Sequence, residues 1–537
     1  MTRRLLAILA ALAAGAAQAQ DRPSEDELFG QPPAQQAPAK KPAAAPPPSS
    51  PSSSGAAGPH GDTEAQLFGS TPSPSTPQLP AGSLVTGSKE DWLKIGGQLQ
   101  LRAQASAYEG TAARDWPFSS PNLLDVYLDA RPNDRVRGFV LGRLSYDPTV
   151  RTTHGGGGGT PGSGSQGGTS SIGFGSSSST DNPGGVLDQL WINFDVSHRA
   201  FVTAGRQHVK WGVGKFWNPT DYLHPQKRDP LATFDARAGT TLVKLHVPWE
   251  QRGWNFYGFG IFEDLAGNTD ATASRLGRIG GGARAELVLG SAELGLDAVA
   301  QDRHHPRYGV DLSAGVGDFD LYAEAAFRSG GDGPRWRRNG PPPQVPLSEL
   351  IGWERDDSKK LTPQVVVGGT WALKYSDEDS LTVGAEYFYN SLGYDRKDVY
   401  PYLLVGAPTL GVSGTGQPTL TPQDPTAFRP FYLGQHYAAV NLYLPQPGRW
   451  NDTTLIATVL GNLSDRSYVA RLDASVLVLT YMTVETFVAG HFGEKGGEFR
   501  LALPSALASQ AASQSGGSTF PSGAPIVDVG LSLRVAL

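Results

Sequence analysis

The sequence predicts an all-β fold: a closed, transmembrane antiparallel β-barrel of 16 to 18 strands behind a disordered N-terminal segment. Three observations carry this. Apolar and polar residues alternate with period two over long stretches from Trp92 to the C-terminus. Charges recur on the polar face of strand after strand. Short and long connections between these stretches also alternate along the chain.

The alternation is clearest at four places. Leu93, Ile95, Leu99, Leu101, Ala103, Ala105 and Ala107 interleave with Lys94, Gln98, Gln100, Arg102, Gln104 and Ser106. Leu124, Val126, Leu128 and Ala130 interleave with Asp125, Tyr127, Asp129 and Arg131. Phe319, Leu321, Ala323, Ala325 and Phe327 interleave with Asp320, Tyr322, Glu324 and Arg328. Val527 to Leu537 closes the chain in the same way. Side chains on a strand point alternately to its two faces, so each segment has one apolar and one polar side. Sandwich strands also alternate, but they average about 5–6 residues. Transmembrane barrel strands run to about 9–11.

Such segments start near 93, 122, 135, 186, 200, 239, 253, 279, 292, 307, 319, 364, 381, 435, 452, 467, 483 and 526. With the first strand running outward, the connections at 132–134, 197–199, 248–252, 290–291, 317–318, 376–380, 445–450 and 480–482 are all short. The connections at the other end include the long stretches 147–185, 211–238, 329–363, 391–434 and 493–525. Only 302–306 and 463–466 are short where a long loop is permitted. Short periplasmic turns and long external loops are the habit of outer-membrane barrels.

The start of the chain fits export. Arg3 and Arg4 precede an apolar run over residues 5–17, and Ala17-Gln18-Ala19 is a small-x-small cleavage signature. Residues 1–19 are thus expected to be a signal peptide. The run is shorter than the ~20 residues of a spanning helix. Residues 20–88 are dominated by Pro, Ala, Ser and Gly and are expected to be a disordered periplasmic segment, because such a stretch buries too little apolar surface to order itself. The barrel is expected over 89–537.

Inside 20–88, Glu25-Asp26-Glu27-Leu28-Phe29-Gly30 recurs in outline as Glu64-Ala65-Gln66-Leu67-Phe68-Gly69. The repetition is expected to mark a binding motif for a periplasmic partner through Leu28, Phe29, Leu67 and Phe68; chance duplication in a drifting linker is the other reading.

Composition narrows the function classes. A formal charge of −6 suggests no nucleic-acid partner. With no cysteine there is no disulfide scaffold, and two methionines beside 67 glycines disfavour a helical enzyme core. No Gly-x-Ser-x-Gly elbow is present, and none of the barrel histidines His208, His246, His436 and His491 lies beside a serine in a triad-like pattern. His304-His305 lacks the clustered carboxylates or cysteines of a metal site. No enzyme, cofactor or metal is expected; the partners are outer-membrane lipids and small polar solutes.

A sheet that spans lipid must close so that its backbone groups are paired, and at 16 to 18 strands the interior is too wide for wall side chains to fill. The polar passage is expected to carry Arg102, Arg137, Arg143, Arg284, Lys374 and Arg471 beside Asp125, Asp129, Asp188, Asp297, Asp311, Asp320, Glu324, Glu386 and Asp473.

The most specific stretch is 202–222, where glycines, Trp211, Trp217 and several cations crowd together. Gly205-Arg206-Gln207, then Trp211-Gly212, then Asn218-Pro219-Thr220-Asp221 resembles porin-like outer-membrane barrel families of Gram-negative bacteria, with alginate-export-type channels more distant. Arg228-Asp229-Pro230 and Asp235-Ala236-Arg237 resemble their continuation. The match covers about 40 residues in this sequence; it implies location more than cargo. Many such barrels end in an aromatic residue, whereas this chain ends in Leu537.

Residues 211–238 are therefore expected to fold into or over the lumen. Arg206, Lys210, Lys215, Lys227 and Arg228 would form a basic side, with Asp221, Asp229 and Asp235 opposing and Trp211 among the lining residues. Bracing of the loop against the wall by ion pairs and rings is an equal reading. A polymer-export channel with sugars stacking on Trp211, Phe216, Trp217, Trp249 or Trp254 is an alternative; so is a surface adhesin covered by the Gly/Ser/Thr-rich loop 147–185.

Overall fold

The computed structural model describes residues 92–537 apart from 151–181, 233–234, 236, 264–278, 303, 332–333, 339–351, 357–359, 377–378, 405, 413–417, 423–426 and 503–522. The expected signal peptide, the segment 20–88 and both Leu-Phe-Gly elements lie outside the described residues, as does most of loop 147–185.

Eighteen strands form the barrel: β1 (Leu93–Tyr108), β2 (Asn122–Asn133), β3 (Val136–Tyr146), β4 (Gly184–Val196), β5 (Ala200–Gln207), β6 (Thr240–Trp249), β7 (Trp254–Ile261), β8 (Gly280–Leu289) and β9 (Ala292–Ala300). The second half comprises β10 (Arg307–Val316), β11 (Phe319–Ser329), β12 (Leu361–Lys374), β13 (Ser380–Asn390), β14 (His436–Pro445), β15 (Thr453–Asn462), β16 (Ser467–Leu479), β17 (Met482–Gly493) and β18 (Pro525–Ala536). Each begins within three residues of its expected start. Every strand pairs antiparallel with its neighbours in sequence, and β1 pairs with β18 from Gln98↔Ala536 to Tyr108↔Pro525. That pairing closes the sheet and leaves no edge for a bilayer to meet. Leu537 itself exchanges backbone hydrogen bonds with Gly97, so the final residue belongs to the closure.

Registry assigns the faces. Leu321 and Leu531 stand outward, about half exposed, while Tyr322, Glu324 and Ala326 of β11 are buried inside. At the short-turn end Trp249 and Trp254 pack edge to face at 5.6 Å, and Phe319 stacks on Trp371 at 5.5 Å, both on the outer rim. Aromatic rings at this level are what a membrane interface favours. The three-residue turn after β4 places Ser197 and His198 at φ 58° and 57°. Asp195 makes this tolerable by accepting the His198 N–H at 2.6 Å.

The long-loop end carries further structure. A two-residue strand, Phe118–Ser119, extends the sheet on β1. A hairpin joins Arg335–Arg338 to Trp353–Asp356, and a short helix spans Tyr400–Leu404. Trp336, Tyr400, Tyr402, Leu403, Leu433 and Leu501 pack there into one apolar cluster.

Candidate functional site

The connection between β5 and β6 enters the barrel. Its two stems are held together by Asp188 of β4, which pairs with His208 at 2.8 Å and accepts the Gly239 N–H at 3.2 Å. Arg143 balances that carboxylate at 3.2 Å and also pairs with Asp125 at 2.8 Å.

The segment then lies on the inner wall of β11 and β13. Glu324 accepts the backbone N–H groups of Val213, Gly214 and Thr220 at 2.7–3.0 Å. Glu386 accepts those of Lys215, Phe216 and Trp217 at 2.7–3.2 Å, and the Tyr322 hydroxyl at 2.8 Å. Consecutive N–H groups converging on one anion form a nest, and bonds to a charged acceptor are stronger than neutral ones. Both carboxylates are almost wholly buried, at 1% and 3% exposure.

Glycine makes this approach possible. Gly212 has φ +79°, and a Cβ there would stand 2.4 Å from Glu324 Oε2; at Gly214 it would stand 1.8 Å from the Trp217 carbonyl oxygen. A side chain at either point would push the backbone off its carboxylate.

Rings complete the anchor. Trp217 is fully buried, stacks on Phe388 at 5.6 Å, tilts against Tyr437 at 5.4 Å and donates Nε1–H to the Phe431 carbonyl at 3.0 Å. Phe216, Leu231, Phe431 and Phe499 join inward residues of β11 to β17 in one apolar cluster. Trp211 enters a second cluster with Leu242, Phe259, Ile261 and Val299. Three connections therefore pack together here: 208–239, 427–435 and 494–502.

The expected site residues fall in several places. Arg206 pairs in register with the outward Leu190 and meets Glu263 at 3.4 Å, so it stands at the outer rim and not with the inward row. Lys210 is exposed at the stem. Lys215 lies 5.7 Å over the Tyr322 ring. Lys227 is half-buried. Arg228 donates to the Lys215 carbonyl at 3.2 Å, and Asp229 accepts the Leu231 N–H at 2.8 Å. Asp221 and Asp235 both meet Arg237, a cation not among the five expected, and Asp235 also lies in the field of Arg228. Arg237 clamps them at 2.7 and 2.6 Å and also donates to the Gln226 carbonyl at 2.9 Å. This is the bracing arrangement, in which charges cancel locally. Burial raises Asp235, but the charge and hydrogen bonds of Arg237 overcome it and hold the carboxyl below its usual range. Burial lowers His224 to about 4, leaving it neutral beside that network despite Asp221.

Arg237→Ala is expected to strand two buried carboxylates and destabilise the segment by about 3–5 kcal/mol. Asp235 is held low in the wild type, so Arg237 stabilises above the ordinary aspartate range and its contribution fades as pH falls through the depressed value. Unfolding of the variant and wild type should therefore converge on acidification; a gap independent of pH would contradict the clamp.

Elsewhere the wall charges pair, across strands for Arg137 and Arg284 and along one strand for Arg471. Arg137 binds Asp129 at 2.8 Å, Arg284 binds Asp311 at 2.7 Å, and Arg471 binds Asp473 at 2.6 Å. Glu324 and Glu386, expected as lumen-lining charges, serve as loop anchors instead. Among the described residues no group of three ligand side chains is placed to hold a metal ion.

No family model matches the sequence, and no curated protein matches it. Solved structures that match include mutants of the Rhodopseudomonas blastica porin, one of them a triple mutant, each at TM-score 0.37. They are 9% and 10% identical, and the matches cover 83% of this chain and 100% of the porin.

Proposed function

We propose that the chain is an outer-membrane channel of the porin kind, passing small polar solutes by passive diffusion through a lumen narrowed by residues 211–238. The observation that carries this reading is the pinned segment itself, inside a barrel of 18 strands. It covers the wall of β11 to β14 and leaves water-reached charges on the remaining wall. Asp125, Arg137, Asp473, Glu485 and Arg534 keep 16–36% of their side-chain surface exposed. Acids and bases both stand there, which suits polar solutes of either sign. The faces of Trp211, Phe216 and Trp217 are enclosed, so sugar stacking on them forms no part of the proposal. The signal peptide expected over residues 1–19 and the apolar outward residues of the strands support an outer-membrane address, and Leu28, Phe29, Leu67 and Phe68 are proposed to engage a periplasmic partner. Peptides of both copies that retain nothing from a periplasmic extract would remove that last element.

Liposome swelling tests the channel. Vesicles holding the refolded protein are expected to swell in small sugars and amino acids, with rates that fall steeply as solute size grows. Equal rates with protein-free vesicles would defeat the proposal.

A further inference from the structure

Lys244 lies on the inner wall just below the anchored segment. It follows Leu242 on β6, two residues nearer the short-turn end than the cluster that seats Trp211. Leu245 and Val247 stand outward and exposed, which turns Lys244 and His246 to the lumen. Among the described residues the Lys244 ammonium has no ion-pair or hydrogen-bond partner. Glu286, the acid whose charge acts on it, is held instead by Arg284 at 3.0 Å and by the Tyr257 hydroxyl at 3.1 Å. Asp195 is taken by the side chain and the backbone N–H of His198. By contrast Arg137, Arg143, Arg284 and Arg471 each meet a carboxylate at 2.6–2.8 Å.

Beside this cation the wall is made of rings. Phe201, His246 and Tyr257 stand in register on β5, β6 and β7, all half-buried. Their centroids are 5.7 and 4.6 Å apart in near-parallel stacks, and Phe259, directly opposite Lys244, lies 6.3 Å from Tyr257. A half-buried ammonium without a counter-ion carries a desolvation cost that a bound anion offsets. Rings fixed by stacking present apolar surface with little side-chain freedom left to lose.

We infer that Lys244, Phe201, His246 and Tyr257 form a solute site for a small aromatic monocarboxylate. Its anionic end meets the ammonium and its ring continues the row. The site names a solute class for the channel proposed above, and rests on that reading in needing a lumen open to water. Asp195 and Glu286 stand toward the two ends of the ring row, so a second negative charge on the solute is disfavoured.

Isothermal titration calorimetry on the refolded full-length barrel in detergent tests this, with benzoate as the probe and acetate and benzyl alcohol as its two halves. Benzoate is expected to bind about tenfold tighter than either half, and tighter than phthalate. Lys244→Met is expected to weaken benzoate about tenfold and to leave benzyl alcohol unchanged. Benzoate no tighter than its halves, or indifferent to Lys244→Met, would overturn the site. Should that variant not fold, the wild-type comparison decides alone. The chain has no cysteine, so Lys244→Cys reports lumen access separately, by reaction with a small water-soluble thiol reagent. Reaction there without benzoate binding in the wild type would sink the site and leave the channel standing. No reaction would put this wall out of reach of water and overturn the site together with the passage.

Discussion

Alanine at both Glu324 and Glu386 is expected to free residues 211–238 from the wall and to widen the passage. The double change leaves six backbone N–H groups and the Tyr322 hydroxyl without their acceptors. An orphaned buried donor costs about 1–3 kcal/mol. Even two or three of them exceed what a connection with no ladder of its own can absorb, so the segment should leave the wall and let water reach those donors. The strands do not depend on it, because their pairing runs continuously through Glu324 and Glu386 in register. The variant should keep its heat-modifiable gel migration while vesicles holding it swell several-fold faster in the larger sugars. Unchanged size dependence in a folded variant would mean that the segment does not limit the passage.

Trp217→Ala is expected to give a loss as large as that of Arg237→Ala. The indole touches Phe388 and Tyr437 on the wall and Phe216 on its own segment, and it satisfies the Phe431 carbonyl. Removing it opens a cavity where three connections meet, a loss of about 3–5 kcal/mol for a buried tryptophan. Because the ring ties loops to wall and strands to nothing, the loss should appear as an earlier, separate unfolding transition of the lumen segments, ahead of the barrel. Denaturant titration followed by limited proteolysis resolves the two steps. A single transition at the wild-type midpoint would show that the apolar cluster around Trp217 contributes little.

The barrel was legible in the sequence because a strand advertises its two faces locally. Leu321, Tyr322, Ala323 and Glu324 declare outside and inside within four residues, and the alternation of connection lengths fixes strand count and direction. The entry of residues 211–238 into the lumen was legible too, from glycine and tryptophan crowded beside a strand end. The chemistry that holds it there was not. Glu324 and Glu386 sit more than 100 residues from the N–H groups they accept, and in sequence they are two more acids on a polar face. Arg237 reads as one cation among several; only folding brings Asp221 back to it from 16 residues away. Phe431 and Phe499 lie in connections with no period at all. Arg206 shows the opposite failure. Its neighbours suggested a lumen cation, whereas its register opposite Leu190 turns it to the rim.

An aqueous path beside the anchored segment would carry ions, and single-channel recording of the refolded full-length chain in a planar bilayer detects it. Steady, ohmic steps of small size with low noise are expected at neutral pH, as a fixed constriction requires. Absence of any step from protein whose gel migration proves it folded would contradict such a path, and would make the lumen a closed core.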